Sequence, residues 1–171
     1  RFGDRGSSIG TINILGGKVT ADGILRCGNN GRASGVINVV DGVILADGLS
    51  LGDAGGGEMN VSGNSLVEFV NNIAFGGNRG TLPMTINMNG GIIRVGQQLR
   101  SPHKSDRAGM SAINLNGGFV DCDSFTHCDV AYSMDITEGE FRVKGDITAD
   151  IKEDIASGYI KAFGGKDSVL C

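Results

Sequence analysis

The sequence predicts an all-β fold, a single-stranded β-helix or β-solenoid in which about six coils of 21–27 residues each contribute three short strands. Three observations predict it: an internal repeat, apolar residues that alternate with polar ones, and a high glycine content. Thirty of the 171 residues are glycine, well above the average of about 7%. Glycine readily adopts the positive φ of tight turns, whereas so many glycines would destabilise helices.

The repeat unit begins with an apolar-Asn-apolar triplet, followed by a turn and a second apolar strand. Successive triplets are spaced by 25, 22, 27, 27 and 21 residues. Because the apolar residues of a strand share one face, the middle residue of each triplet faces the other side. We therefore expect the middle residues to stack outside the rod as a hydrogen-bonded ladder. They are Asn13, Asn38, Asn60, Asn87 and Asn114, with Asp135 closing the row.

Two further apolar columns follow the triplets and predict the second and third strands of each coil. The second column is Val19, Ile44, Leu66, Ile93, Val120 and Phe141. The third column is Leu25, Leu49, Ile73, Leu99, Phe125 and Ile147. Six aligned copies of an alternating pattern indicate strands with one buried face. Each coil is expected to contact only the coils next to it.

A glycine follows the third strand in Phe2-Gly3, Cys27-Gly28, Leu51-Gly52 and Phe75-Gly76, which predicts a third turn in each coil. Phe2 then ends the third strand of an earlier coil, and we expect the chain to start in mid-coil. The repeats are expected over residues 1–148. Residues 149–171 depart from the pattern and predict a C-terminal cap or junction, with a helix over 149–157 and a strand over 159–163.

Charge and hydropathy narrow the range of partners. The net charge is −4, so the basic surface of a nucleic-acid-binding protein is not expected. No apolar run approaches the length of about 18 residues that predicts a membrane span. Four cysteines are compatible with an oxidising compartment. Cys122 and Cys128 are candidates for a disulfide within one coil, and Cys27 is expected to be a buried thiol.

Two regions are candidate binding sites. The longest polar interruption, residues 101–109, predicts a projecting loop, and projecting loops often carry binding residues. Its candidates are His103, Lys104, Asp106 and Arg107; the alternative is a solvated insertion without a role. Asp121 and Asp123 are expected on the outside of the fifth coil. Solenoid enzymes that cleave acidic polysaccharides align an aspartate dyad with basic residues, and this pattern is missing, so we expect no catalytic residues.

Modification and metal binding rest on weaker motifs. Asn60-Val61-Ser62 is an N-x-S sequon and makes Asn60 a candidate for glycosylation. Stacked Asp/Asn-Gly turns sometimes bind Ca²⁺ through oxygen ligands. The complete G-G-x-G-x-D calcium signature is absent from the sequence, so no metal site and no cofactor are expected, and Ca²⁺ is kept as an alternative.

The repeat unit, seen best over residues 86–93 and 113–120, resembles Gly/Asn-rich solenoid repeats of large bacterial cell-surface and secreted proteins. Autotransporter passengers and planctomycete-type extracellular repeat proteins are examples. The segment over residues 155–165 is also similar to the one that follows such repeats. The resemblance implies an extracellular or cell-surface protein with a structural or adhesive role.

These observations favour a non-enzymatic, secreted or surface-exposed structural or adhesive solenoid that is a segment or subunit of a longer fibre. Its expected partners are copies of itself, joined end to end, or further repeats of the same chain, because an open strand edge can template pairing. The alternative is a carbohydrate-binding or polysaccharide-degrading β-helix module with a polysaccharide partner. This module would use Asp121, Asp123 and the loop over residues 101–109.

Overall fold

The computed structural model confirms the β-solenoid, whose parallel strands wind through about five turns. It describes residues 1, 3, 6–29, 32–52, 55–76, 82–100, 111–126 and 132–165. The strands are β1 (Ile9–Leu15), β2 (Lys18–Cys27), β3 (Ser34–Val40), β4 (Val43–Leu51), β5 (Gly56–Ser62), β6 (Leu66–Phe69), β7 (Ile73–Phe75), β8 (Met84–Arg100), β9 (Ser111–Thr126), β10 (Tyr132–Ile136), β11 (Glu140–Val143) and β12 (Ile160–Ala162). One helix, α1 (Thr148–Ala156), and a 3₁₀ turn, Phe163–Gly165, complete the described elements.

The rod has three faces, each a stack of parallel strands. The first face runs β1, β3, β5, then the first parts of β8 and β9, then β10 and β12. The second face runs β2, β4, β6, β8, β9 and β11. The third face contains the ends of β2 and β4, β7, and the ends of β8 and β9. Strands β2, β8 and β9 bend from one face to the next, and their register shifts at the bends.

Apolar side chains stacked coil upon coil fill the interior. On the first face the residues that flank each Asn face the core, and all except the partly buried Ile12 are buried; Met59, for example, is 0% exposed. On the second face, the prediction that Leu66 belongs to the second apolar column is wrong. Val67 takes this place, because it pairs with Ile44 and Ile93 and is fully buried. The turn before it is one residue longer than in the other coils, and Ser65 lies in this turn. The buried Ser65 hydroxyl donates to the Ser62 carbonyl (2.6 Å) and so stabilises the longer turn.

Each predicted third turn begins with a glycine for a steric reason. Gly28 has φ +66°, and a Cβ there would collide with the carbonyl of Gly56 in the next coil. Gly3, Gly52 and Gly76 also have positive φ at the equivalent positions. The glycines therefore let successive coils approach to the strand spacing of about 4.8 Å.

The sixth repeat is only partly a coil. It supplies β10 and β11, but no described strand follows at the predicted third-strand residue Ile147, where α1 begins instead. Ile151 and Ile155 pack against the core from α1, as their shared helical face predicted. The chain then returns to the first face as β12, which pairs with β10. We call α1 and β12 together the C-terminal cap.

Candidate interaction surfaces

The asparagine row on the first face forms the predicted ladder. Each Nδ2 donates to the Oδ1 of the preceding coil: Asn38 to Asn13 (2.7 Å), Asn60 to Asn38 (2.9 Å), Asn87 to Asn60 (2.8 Å) and Asn114 to Asn87 (2.8 Å). All four bonds point in one direction, toward β1. The ladder therefore has a polarity, with a donor at one end and an acceptor at the other.

The acceptor end of the ladder is closed by Asp135. Asp135 is in register with Asn114, but it accepts hydrogen bonds from the Gly164 N–H (2.9 and 3.0 Å) instead. A carboxylate only accepts, so it has no hydrogen to give to the Oδ1 of Asn114. The sequence predicted that Asp135 closes the row, and its register confirms this, whereas the bond to Gly164 was not foreseen.

The donor end of the ladder is open. Asn13 accepts from Asn38, and its own Nδ2 meets no acceptor within the part of the chain that the structure describes. Strands β1 and β2 each pair on one side only among the described elements, with β3 and β4 respectively. Ile9 (74% exposed), Leu15 (72%) and Ile24 (54%) lie on these two strands. We call the unpaired side of β1 and β2 the open edge.

The C-terminal cap is held by a buried polar contact. The Tyr132 hydroxyl donates to Oδ2 of Asp154 (2.9 Å), and both side chains are almost completely buried. The Tyr132 ring stacks on Tyr159 with centroids 5.6 Å apart. Burial, and then the nearby charge of Asp154, raise the pKa of Tyr132, so this phenol stays neutral and donates.

A shallow groove of about 330 Å³ crosses the second face and contains the predicted candidates Asp121 and Asp123. Glu68, Arg94 and Asp121 lie in register on successive coils, so opposite charges alternate along the rod. Asp123 also lies 3.7 Å from the Lys144 ammonium. Both aspartates lie on the outside, as predicted, whereas Glu68 and Arg94 were not predicted to lie beside them. Their alternation with the buried second column would have identified them.

The remaining candidate binding residues belong to the predicted loop over residues 101–109, which lies outside the described residues. They are His103, Lys104, Asp106 and Arg107. The structure therefore does not relate them to the groove. Their role in binding stays a prediction.

The two described cysteines, Cys27 and Cys122, are buried free thiols. The Cys122 side chain points into the core, with Sγ 3.7 Å from the Arg142 carbonyl oxygen. Its disulfide with Cys128 stays a prediction. Cys128 itself lies outside the described residues. Burial raises the pKa of both thiols to about 12, and for Cys122 the charges of Asp121 and Asp123 act in the same direction.

The candidate glycosylation site is part of the ladder. The Asn60 Nδ2, to which a glycan would be attached, donates to Asn38, while Oδ1 accepts from Asn87. The side chain is only partly exposed. Glycosylation of Asn60 in the folded chain would therefore place the glycan on the same nitrogen that donates within the ladder.

The described residues contain no group of three or more His, Cys, Asp or Glu side chains arranged to hold a metal. In the same part of the chain, no helix is both long and apolar enough to cross a membrane. Comparison with protein-family models, with curated proteins and with solved structures finds no significant match.

Proposed function

We propose that the chain is a non-enzymatic structural or adhesive solenoid, secreted or on the cell surface, that acts as a building block of a longer rod. The open edge is the observation that carries this proposal. Unpaired strand edges template pairing with another chain, and soluble proteins usually cover, shorten or charge them. Here the open edge combines exposed Ile9, Leu15 and Ile24 with a ladder donor that lacks an acceptor.

The body of the rod suits a mechanical role. A continuous apolar core and the Asn ladder tie each coil to the next, so bending the rod would break several contacts at once. The resemblance of the repeat unit to bacterial extracellular repeats supports a place outside the cell. Such a rod would separate or connect whatever is attached to its ends.

Small-angle X-ray scattering over a concentration series tests the building-block role. We expect the maximum dimension to grow with concentration while the cross-section stays constant, because each added five-turn rod contributes about 24 Å. Sedimentation velocity on the same samples would give the mass of each species. A monomer at every concentration up to the millimolar range would contradict the proposal.

A second candidate function, polysaccharide binding, is favoured by the groove on the second face. It offers Arg94 for an acidic sugar and Glu68, Asp121 and Asp123 as hydrogen-bond acceptors for hydroxyl groups. Titration against neutral and acidic polysaccharides tests it. Binding should weaken in Asp123→Ala and Arg94→Ala but not in Asp150→Ala, which removes an exposed carboxylate of α1. Depolymerisation that is lost in Asp123→Ala would instead favour an enzyme.

Calcium binding is kept as a third, minor proposal for the Asp/Asn-Gly turns. If Ca²⁺ holds these turns, a chelator should lower the melting temperature, and added Ca²⁺ but not Mg²⁺ should restore it. An unchanged melting temperature would remove the proposal.

A further inference from the structure

A groove of about 380 Å³ crosses the third face, on the outer surface of the coils rather than on a strand edge. Its floor follows one column of outward-facing residues, in register on successive coils: Arg26, Ser50, Ala74 and Arg100. The two short side chains lie between the two long ones, so the column is recessed at its middle. Successive strands are about 4.8 Å apart, which puts the two arginine Cα atoms about 14 Å apart.

The lining of this third-face groove carries cations and no anion. Arg26 and Arg100 lie at its two ends, and none of the described residues that line it is acidic. The groove on the second face, in contrast, contains the carboxylates of Glu68, Asp121 and Asp123. The whole chain has a net charge of −4, so a groove lined only by cations and neutral groups is a local feature. Its charge favours an anionic ligand.

Two asparagine amides add hydrogen-bond donors to the groove. The Asn71 Oδ1 accepts from the Gln97 Nε2 (3.0 Å), and the Asn72 Oδ1 accepts from the backbone N–H of Gln98 (3.1 Å). The next coil therefore fixes the orientation of each amide group. Neither Nδ2 has an acceptor within the described ranges, although both asparagines line the groove and are half-buried. A ligand rich in acceptor oxygens would satisfy these donors.

A linear acidic polysaccharide has the matching chemistry. Its carboxylates recur along one axis, and each carboxylate can accept two parallel hydrogen bonds from a guanidinium. Its hydroxyl and ring oxygens can accept from the amides between the two arginines. Single-stranded nucleic acids are also anionic, but proteins usually hold them by stacking the bases on aromatic side chains as well. No aromatic residue lines the described part of the groove.

We propose that the third-face groove binds a linear acidic polysaccharide along the rod axis. Carboxylates of the polymer would pair with Arg26 and Arg100, and its sugar oxygens would accept from Asn71 and Asn72. The inference rests on the adhesive role in the proposed function and names the ligand class. Because the groove lies on the side of the rod, binding there is separate from any growth of the rod at its ends.

Titration against polygalacturonate in the presence of a chelator tests the site, with the highly methyl-esterified polymer as the control for charge. The esterified polymer should bind at least about tenfold more weakly, because it lacks the carboxylates that charge-assisted hydrogen bonds need. Arg26→Gln and Arg100→Gln should each weaken binding about tenfold or more, as expected for the loss of hydrogen bonds to a charged group. Lys152→Gln removes the same charge from exposed α1 and should leave binding unchanged.

Asn71→Asp separates binding from folding. The substitution keeps an oxygen that accepts from Gln97 and replaces the unmet Nδ2 donor with a negatively charged oxygen. Urea unfolding should hardly change, whereas the affinity for polygalacturonate should fall about tenfold or more. Unchanged affinity in both Asn71→Asp and Arg100→Gln would overturn the proposal.

Three other results would also overturn it: equal binding of the two polymers, an equal loss in Lys152→Gln, or tighter binding of single-stranded DNA than of polygalacturonate. A loss confined to Arg94→Ala would assign the polysaccharide to the second face and remove the third-face site. If scattering shows longer rods but polygalacturonate does not bind, the building-block role stands and the ligand is wrong. If the chain stays monomeric and still binds with the predicted dependence on Arg26 and Arg100, the groove stands and the building-block role is wrong.

Discussion

The outermost strands at the two ends of this solenoid carry different side chains and are covered to different extents. At the C-terminal end, α1 packs Ile151 and Ile155 on the core, Asp135 closes the ladder, and β11 is short and charged. At the other end, β1 and β2 carry exposed apolar side chains. Like β11 and β12, they pair on one side only in the described part of the chain, so the two ends differ in side chains rather than in pairing.

The difference teaches that the repeat itself does not decide whether a rod can grow. Both ends are built on an apolar-polar-apolar triplet, whose middle residue is Asn13 at one end and Asp135 at the other. At the C-terminal end an acidic side chain stands in place of Asn, and a helix stands in place of a third strand. The open edge keeps the unmodified repeat and therefore keeps its capacity to pair.

The largest effect is expected at the closed end. Tyr132→Phe removes the hydrogen bond to the buried Asp154 and should lower the free energy of unfolding by about 1.5–3 kcal/mol, the range for bonds to charged groups. Tyr159→Phe is the matched control. It keeps the stacked ring and removes a hydroxyl with no hydrogen bond in the described residues, so urea unfolding should hardly change. Equal losses in the two variants would show that the hydrogen bond does not hold the cap.

An interior rung and the open end of the ladder should differ about twofold. Asn60→Ala removes two ladder bonds and Asn13→Ala removes one. At about 1 kcal/mol per bond, the expected losses are about 2 and about 1 kcal/mol. Chemical denaturation of the monomer at low concentration measures both. A larger loss in Asn13→Ala would contradict the open ladder end.

Alkaline pH should weaken the closed end. Because the folded-state pKa of Tyr132 lies above its ordinary value of 10.0, its contribution to stability is complete below about pH 10 and is lost as pH rises further. The loss can reach about 1.4 kcal/mol per pH unit. The buried thiols of Cys27 and Cys122 also make the free energy of unfolding fall at alkaline pH. The measurement is therefore the difference in this free energy between the wild type and Tyr132→Phe, taken at pH 8 and at pH 11. Identical pH profiles would rule out this role of Tyr132.

The smallest effect on stability is expected at the open edge. Leu15→Lys changes an exposed residue, so monomer unfolding should shift by less than about 0.5 kcal/mol. Association should weaken at least tenfold, because the variant replaces an exposed apolar side chain of the open edge with a charged one. Val70→Lys, which changes a residue 63% exposed on the second face, is the control and should leave association unchanged. Equal association of the Leu15→Lys and Val70→Lys variants would show that the open edge does not mediate association.

The periodic part of the fold could be predicted because the coils stack in register. The same kind of residue therefore recurs at the same position of every repeat. The Asn row, the third-turn glycines and the inward direction of Cys122 all follow from alternation, and the structure confirms them. Leu66 was wrong because counting from the triplet assumes turns of constant length. The buried hydroxyl of Ser65 stabilises one extra residue, and such a local hydrogen bond leaves no trace in the periodicity.

The less regular features depend on contacts that no repeat encodes. The Asp135–Gly164 and Tyr132–Asp154 bonds each join a residue of the sixth repeat to a residue more than twenty positions later, beyond the repeats. The polarity of the ladder depends on the orientation of each amide group, which residue type alone does not give. Asp121 and Asp123 were expected on the surface, but Glu68 and Arg94 could not be placed beside them from the sequence. Their neighbourhood depends on the register of β6 on β8.

Hydrogen exchange of the backbone amides at low and high protein concentration tests the contrast between the two ends most directly. The account predicts that association slows exchange in β1, over Ile9–Leu15, while β12, over Ile160–Ala162, exchanges at the same rate at both concentrations. Protection gained in β12 instead of β1, or equal exchange in β1 at every concentration, would contradict the account.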